Sequence, residues 1–403
     1  MGLVAERGEL VLERGEGVWI WDDHGRRYLD ATAGLWFCNV GHGRAEIADA
    51  AAEQMRRFAA YSAYTDFTTR ATTKAAERIA TLSPLEDAVV FLTSGGGESI
   101  ETAAKLARRY FTLTGETERT VLVARERAYH GMGAFGTSLA GHEIFREGIS
   151  PPVPDVVHVP WDSAVSLREA IESVGAERVA AFFCEPVIGA GGVLAPPPGY
   201  LEEARAVCHD AGCLFVADEV ITAFGRIGDW FASTRYALAP DLITFAKGST
   251  SGYLPMGGVI ASTRVSEPFW KGGVMFRHGY TYSGHASVAA ASLANLDLLE
   301  REQLPARGLE LERELAEALA PLAEHQLVSE VRAGTGVLAA VQLVEPTLID
   351  AAVAAAREHG VLTRALLGGA LQISPPLVIT RAELDELAGG LAAALDDCAA
   401  ALD

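Results

Sequence analysis

Residues 214–259 read LFVADEVITAFGRIGDWFASTRYALAPDLITFAKGSTSGYLPMGGV. Two apolar runs stand inside this stretch, Leu214–Ala217 and Leu242–Ala246, and a third, Met256–Ala261, begins within it. Runs of this length read as buried strands, and Trp230–Leu238 reads as a helix between the first two. The first run ends on Asp218-Glu219 and the second on Lys247-Gly248, so polar groups stand where two strands stop.

The same rhythm extends upstream. Apolar runs Ala88–Leu92, Val121–Ala124, Val153–Val159 and Val179–Cys184 alternate with amphipathic stretches Ser99–Phe111, Ala164–Val174 and Tyr200–Ala211. Continuous apolar strands alternating with helices predict an α/β fold with a mostly parallel sheet covered on both faces. Ala45–Ala60 and Thr69–Leu82 carry helical periodicity, and Val11–Asp30 reads as short strands around turns. Downstream, Ala286–Ala323 reads as long helix. The tail offers strand-like Gly336–Leu343 and Leu371–Ile373 with helices at Ile349–His359 and Arg381–Leu402, a smaller α+β domain.

The 403 residues carry 33 basic and 53 acidic side chains, a net charge of -20. Such acidity disfavours nucleic acid and anionic membranes as partners, because their phosphates repel it. With 49% apolar and 21% charged residues the chain can bury a large core, which excludes global disorder. No apolar stretch approaches the roughly 18 residues of a membrane helix, and MGLVAERGEL lacks a signal pattern. Cys38, Cys184, Cys208, Cys213 and Cys398 are scattered without metal-ligand spacing. They read as reduced thiols, so a cytoplasmic protein without disulfides or a metal site is expected.

In an open parallel sheet, ligands bind beyond the carboxyl ends of the strands. The residues following the strands are Ser94-Gly95-Gly96-Gly97, Tyr129-His130-Gly131, Glu185-Pro186, Asp218-Glu219 and Lys247-Gly248. Each has an ordinary reading when taken singly. The glycines make a turn and helix cap, Tyr129-His130-Gly131 a packed loop, and Asp218-Glu219 a cap for the next helix. Only four lysines occur, against 29 arginines. Lys105 follows Glu101 at ion-pair spacing, Lys74 lies on a polar helical face, and Lys271 falls in a loop, EPFWKGG. Lys247 alone ends an apolar strand and enters a glycine-rich segment.

Together the set points to one ligand. A lysine amine in an apolar crevice loses proton affinity and can form a Schiff base with an aldehyde. The Gly95–Gly97 amides at a helix start suit a phosphate. A buried Asp218 can keep a pyridine nitrogen protonated, and Tyr129 can stack on the ring. Pyridoxal 5′-phosphate asks for all four. A nucleotide-dependent oxidoreductase is the alternative from another class, and the absence of GxGxxG after the first strand counts against it.

YLDATAGLWFCNVGHGRAEI, FLTSGGGESIETAAKLARRY, YHGMGAFGTSLAG, ADEVITAFGRIGDWF, PDLITFAKGSTSGYLPMGGV, HGYTYSGH and ISPPLVIT resemble, in order, the motifs of the class III (ω-)aminotransferases among fold-type-I pyridoxal-phosphate enzymes. The likeness runs from about Gly17 to Arg381. It implies a three-layer α/β/α large domain over residues 45–290 and a small α+β domain built from residues 1–44 and 291–403. It also implies a homodimer with shared active sites. Lys247 would carry the cofactor and move the proton, with Asp218 on the pyridine nitrogen. Tyr129 and Val220 would flank the ring, with His130 and Glu185 beside the cofactor. Gly96 and Gly97 match the phosphate-binding pair, Gly95 precedes them, and Thr281 matches a threonine that reaches the neighbouring subunit's phosphate.

AGLW at Ala33–Trp36 resembles the amine:pyruvate and β-alanine:pyruvate branch, in which the tryptophan lines the substrate pocket. Arg364 resembles an arginine that binds a substrate carboxylate and swings aside for apolar amines. The implied activity moves an amino group from an amine or ω-amino acid to a keto acid such as pyruvate. Aminomutases, epimerases and decarboxylases of the same fold are the alternatives. Gly97 stands where the family usually has Ser, Ala286 where it often has Pro, and Ala223 where it often has Gly. The family pattern also begins further upstream than this chain, in a segment expected to bear on specificity.

Overall fold

Alternation within single strands decides how the central sheet is covered. Val121 and Val123 join one buried cluster, while Leu122 and Ala124 join another on the opposite face. Phe182 and Phe215 repeat this against Phe183 and Val216. Both faces are apolar, so both must be covered.

A computed structural model describes residues 8–149 and 153–402. The first elements among the described residues are three antiparallel strands, β1 (Leu12–Glu16), β2 (Trp19–Asp22) and β3 (Arg27–Asp30). The central sheet comprises β4 (Val89–Thr93), β5 (Val121–Arg125), β6 (Val156–Val159), β7 (Val179–Cys184), β8 (Leu214–Asp218), β9 (Leu242–Phe245) and β10 (Gly257–Ala261). Its spatial order is β4-β10-β9-β8-β7-β5-β6. β6, β5, β7, β8 and β9 pair in parallel, and β10 runs antiparallel to both β9 and β4. The reversal of β10 follows from its connection, since residues 246–256 hold no crossover helix.

The helix Gly96–Thr114 lies on one face of this sheet, with Ile100 and Ala103 in the cluster of Leu122 and Val216. Helices Ala164–Val174 and Tyr200–Ala211 lie on the other, with Leu167 and Ala204 in the cluster of Phe182 and Phe215. This gives the three layers of the fold-type-I architecture.

The tail adds β11 (Val328–Arg332), β12 (Ala339–Leu343), β13 (Val361–Leu362), β14 (Ala365–Leu366) and β15 (Ala370–Ile373). Four of them form an antiparallel sheet in the order β11-β12-β15-β14. β13 instead pairs in parallel with β3, which ties the two ends of the chain together. Helices Ile349–Glu358 and Arg381–Ala400 accompany them, the latter started by a Thr380–Glu383 capping box.

Three local expectations are corrected. The helix expected over Trp230–Leu238 shrinks to Ala232–Arg235. The long helix over Ala286–Ala323 divides into Ala286–Arg301 and Leu304–Leu319, because Gln303 turns left-handed at φ 53 and Pro305 begins the second. Lys271 lies in a helix, Thr263–Gly272, and pairs with Glu267 at 2.6 Å. Pro268 and the glycines suggested a loop, but Val265 is fully buried against the sheet and Phe269, one turn on, packs beside it.

Candidate active site

β8 and β9 are neighbours, and their register sets Asp218 opposite Thr244. Thr244 Oγ1 donates to Asp218 Oδ1 at 2.9 Å, and the Val220 N–H donates to the same oxygen at 3.1 Å. Asp218 Oδ2 faces His130 Nδ1 at 2.6 Å. Burial raises the Asp218 pKa, but the His130 contact and the other hydrogen bonds outweigh it and hold the carboxyl below its ordinary range. His130 is buried, and its Nε2 has no partner among the described residues.

Glu219 follows directly and does different work. Its backbone N–H continues the ladder to Thr244 O, and its carboxylate accepts the N–H groups of Ala232 and Ser233. Burial pushes its pKa up to about 7. The pair therefore divides, Asp218 facing the site and Glu219 capping the short helix Ala232–Arg235.

Lys247 stands two residues beyond β9 with φ 38, a left-handed conformation that costs a non-glycine residue about 1–3 kcal/mol. Its amine is brought down to about 8, chiefly by burial; Asp218 and Glu185 oppose that shift and Arg364 adds to it. Glu185 Oε1 accepts the Tyr129 N–H and Oε2 the Gly189 N–H, each at 3.0 Å. Burial raises the Glu185 pKa, and His130 counters it. Tyr129 is half-buried, its ring 5.1 Å from that of Phe145.

The glycine segment opens the helix Gly96–Thr114. A Cβ on Gly96 would stand 2.8 Å from Val220 Cγ1, and one on Gly131 would stand 2.9 Å from Gly97 Cα. Gly97 faces open space, with nothing within 4 Å of where its Cβ would be. The loops bearing Tyr129, Val220 and the glycines thus close on one another only because side chains are missing there.

Trp36 is 3% exposed and held at φ 61. Lys247 Nζ lies 6.0 Å from its ring centroid and Arg364 Cζ 4.5 Å. Arg364 precedes β14 and donates from Nε to Gln372 Oε1 at 2.7 Å. Thr281 is not brought to this group; it is exposed, in the turn after Tyr280. Nor do Glu101 and Lys105 pair. Glu101 accepts the Gly136 N–H at 3.0 Å, and Lys105 Nζ meets His278 Nδ1 at 2.9 Å.

Thr244 and Gln372 were not anticipated. Thr244 carries a weak signal, a hydroxyl inside the apolar run LITF. Gln372 carries none, because its partner is set by the β14–β15 hairpin rather than by spacing along the chain.

An amine of lowered pKa, a carboxylate kept ionised beside it, an unpartnered imidazole nitrogen and a side-chain-free cradle at a helix start fit pyridoxal phosphate. The same set of groups is what a fold-type-I pyridoxal-phosphate enzyme requires. The sequence profile of the class III aminotransferases matches residues 4–395. A putrescine–pyruvate aminotransferase of Pseudomonas aeruginosa is 38% identical over 426 aligned positions, covering 98% of this chain and 92% of its own. An (S)-enantioselective ω-transaminase from Thermomicrobium roseum superposes with a TM-score of 0.94 at 40% identity, over 98% of this chain and 94% of that one. The ω-transaminase of Pseudomonas jessenii, solved in complex with PMP, gives 0.94 at 31% identity over 99% and 95%. The chain belongs to the class III aminotransferases, which depend on pyridoxal phosphate.

Proposed function

We propose that the enzyme moves an amino group from an amine or ω-amino acid to a keto acid such as pyruvate, in two half-reactions run from Lys247. Bound pyridoxal phosphate supplies an aldehyde to capture the donor's nitrogen and a ring to absorb the charge developing on its carbon. The residues do the rest. Lys247 Nζ, neutral in a large fraction near pH 8, would carry the proton from the donor carbon to the cofactor's aldehyde-derived carbon, and the second half-reaction would run that transfer in reverse. Asp218, kept ionised, would hold a proton on the pyridine nitrogen. The Gly95–Gly97 segment would hold the phosphate at the helix start, and Tyr129 and Val220 would flank the ring. His130 would orient Asp218, and Glu185 would fix the Tyr129 loop through its backbone. Trp36 and Arg364 would form the substrate wall, Arg364 offering two parallel N–H groups to a carboxylate.

The observation that carries this reading is the placement of Asp218 and Lys247 at the ends of adjacent strands. Putrescine and pyruvate, named for the Pseudomonas aeruginosa relative, support an amine donor and a keto-acid acceptor here. A homodimer would bring Thr281 from the partner, and the exposed aromatics Phe58, Tyr61, Tyr64 and Phe67 supply an apolar face for it. Among the described residues no helix is long and apolar enough to cross a membrane, and the scattered thiols suit the cytosol. The test is an amine donor given without acceptor. An aminotransferase consumes one equivalent per site and stops until pyruvate is added, whereas a decarboxylase, epimerase or aminomutase continues.

A further inference from the structure

We propose that Gln372 is a positioning residue that latches Arg364 over Trp36 and thereby biases the enzyme toward substrates bearing a carboxylate. This rests on the reading of Arg364 just given. Gln372 is fully buried on β15. The hairpin holds the two residues together before their side chains meet, since the Gln372 N–H donates to Arg364 O at 3.0 Å and Thr363 Oγ1 donates to Gln372 O at 2.7 Å.

The orientation of the Gln372 amide is fixed by its surroundings. Its Nε2 donates to Ser374 Oγ at 2.6 Å and to the Thr32 carbonyl at 3.4 Å, and a carbonyl can only accept. Oε1 is therefore turned to Arg364, where it accepts from Nε at 2.7 Å. Flipping the amide would set its NH2 against guanidinium donors. The latch occupies the stem-side donor only. Both Nη groups have no acceptor among the described residues, and Arg364 pairs with no carboxylate there.

Trp36 completes the arrangement. The Arg364 Cζ lies 4.5 Å from its ring centroid, and the buried Trp36 Nε1 lacks a partner among the described residues. Swinging Arg364 outward would break a half-buried hydrogen bond, leave Gln372 Oε1 unpaired and remove the cation from the ring. The inward position is the one built into this chain, so apolar amines must displace a held side chain while carboxylates meet it ready.

The test uses holoenzyme and separates two donor classes. Gln372→Met keeps the length and removes the acceptor. KM for β-alanine and for pyruvate should rise about tenfold, the loss of one charge-assisted positioning contact, while single-turnover transfer from 1-phenylethylamine should become faster. Ser374→Ala, which removes only the support of the Gln372 amide, should shift both in the same directions by less, and it decides the matter if Gln372→Met does not fold. Equal effects on both donor classes, or unchanged KM for the carboxylates, overturn the latch. Arg364→Leu distinguishes the levels. If it raises those KM values and neither latch variant does, only the latch fails; if it leaves them unchanged, the reading of Arg364 fails as well.

Discussion

Four lysines share one chemistry and differ only in surroundings. Lys271 answers Glu267 across a helical turn, Lys105 meets His278, and only Lys247 stands at a strand end beside a buried carboxylate. Its pKa of about 8 sets a pH dependence with a definite sign. Burial disfavours the charged form, so the neutral amine becomes the main species as pH rises through about 8, well below the ordinary 10.5. The rate at which apo-enzyme takes up pyridoxal phosphate should climb through pH 8 and level off by about pH 9, followed by stopped-flow absorbance; a rate still climbing at pH 10 would place the amine in ordinary surroundings. Asp218→Asn keeps the shape and removes the charge. It should slow single-turnover transfer about 10²-fold or more, as loss of an aligned electrostatic partner does. Both residues were legible in the sequence because they are polar where apolar runs stop. Thr244 and Gln372 were not, since their partners lie across strands whose register no single sequence declares.

At the level of elements, the same logic explains what the apolar runs could and could not say. Runs bounded by polar residues located β5, β7, β8 and β9 well, because strands buried on both faces leave an unbroken apolar signature. They did not show that β10 is reversed, which depends on a connection too short for a crossover helix. They also missed the helix Thr263–Gly272, where Pro268 masked a buried Val265. Glu219 shows an element held by one side chain. Glu219→Ala would leave the Ala232 and Ser233 N–H groups buried without an acceptor. Denaturant unfolding should register a loss of about 1–3 kcal/mol, and a loss within error would mean that water or a rearranged loop replaces the carboxylate.

For the whole molecule, the two ends of the chain are joined where β13 pairs with β3. Arg226, fully buried, adds a second tie, donating to Asn39 Oδ1 and to the carbonyls of Val337, Ser374 and Pro375. That the tail forms an α+β unit was readable from periodicity; that β13 pairs with β3 was not, because a two-residue strand leaves no pattern. Assembly is the remaining property at this scale. Sedimentation should give about twice the 42.7 kDa chain mass. Phe67→Asp, which puts a charge on the exposed aromatic face, should yield monomers with weakened affinity for pyridoxal phosphate. A wild-type monomer that binds the cofactor fully would rule out a role for Thr281 at a partner's site.

A mass measurement decides whether Lys247 is the lysine that binds the cofactor. Apo-protein is mixed with pyridoxal phosphate, reduced with borohydride and digested. One label per chain is expected, on the peptide carrying Lys247 and on none carrying Lys74, Lys105 or Lys271. A reduced protein with no label, or with its label on another lysine, would contradict that assignment.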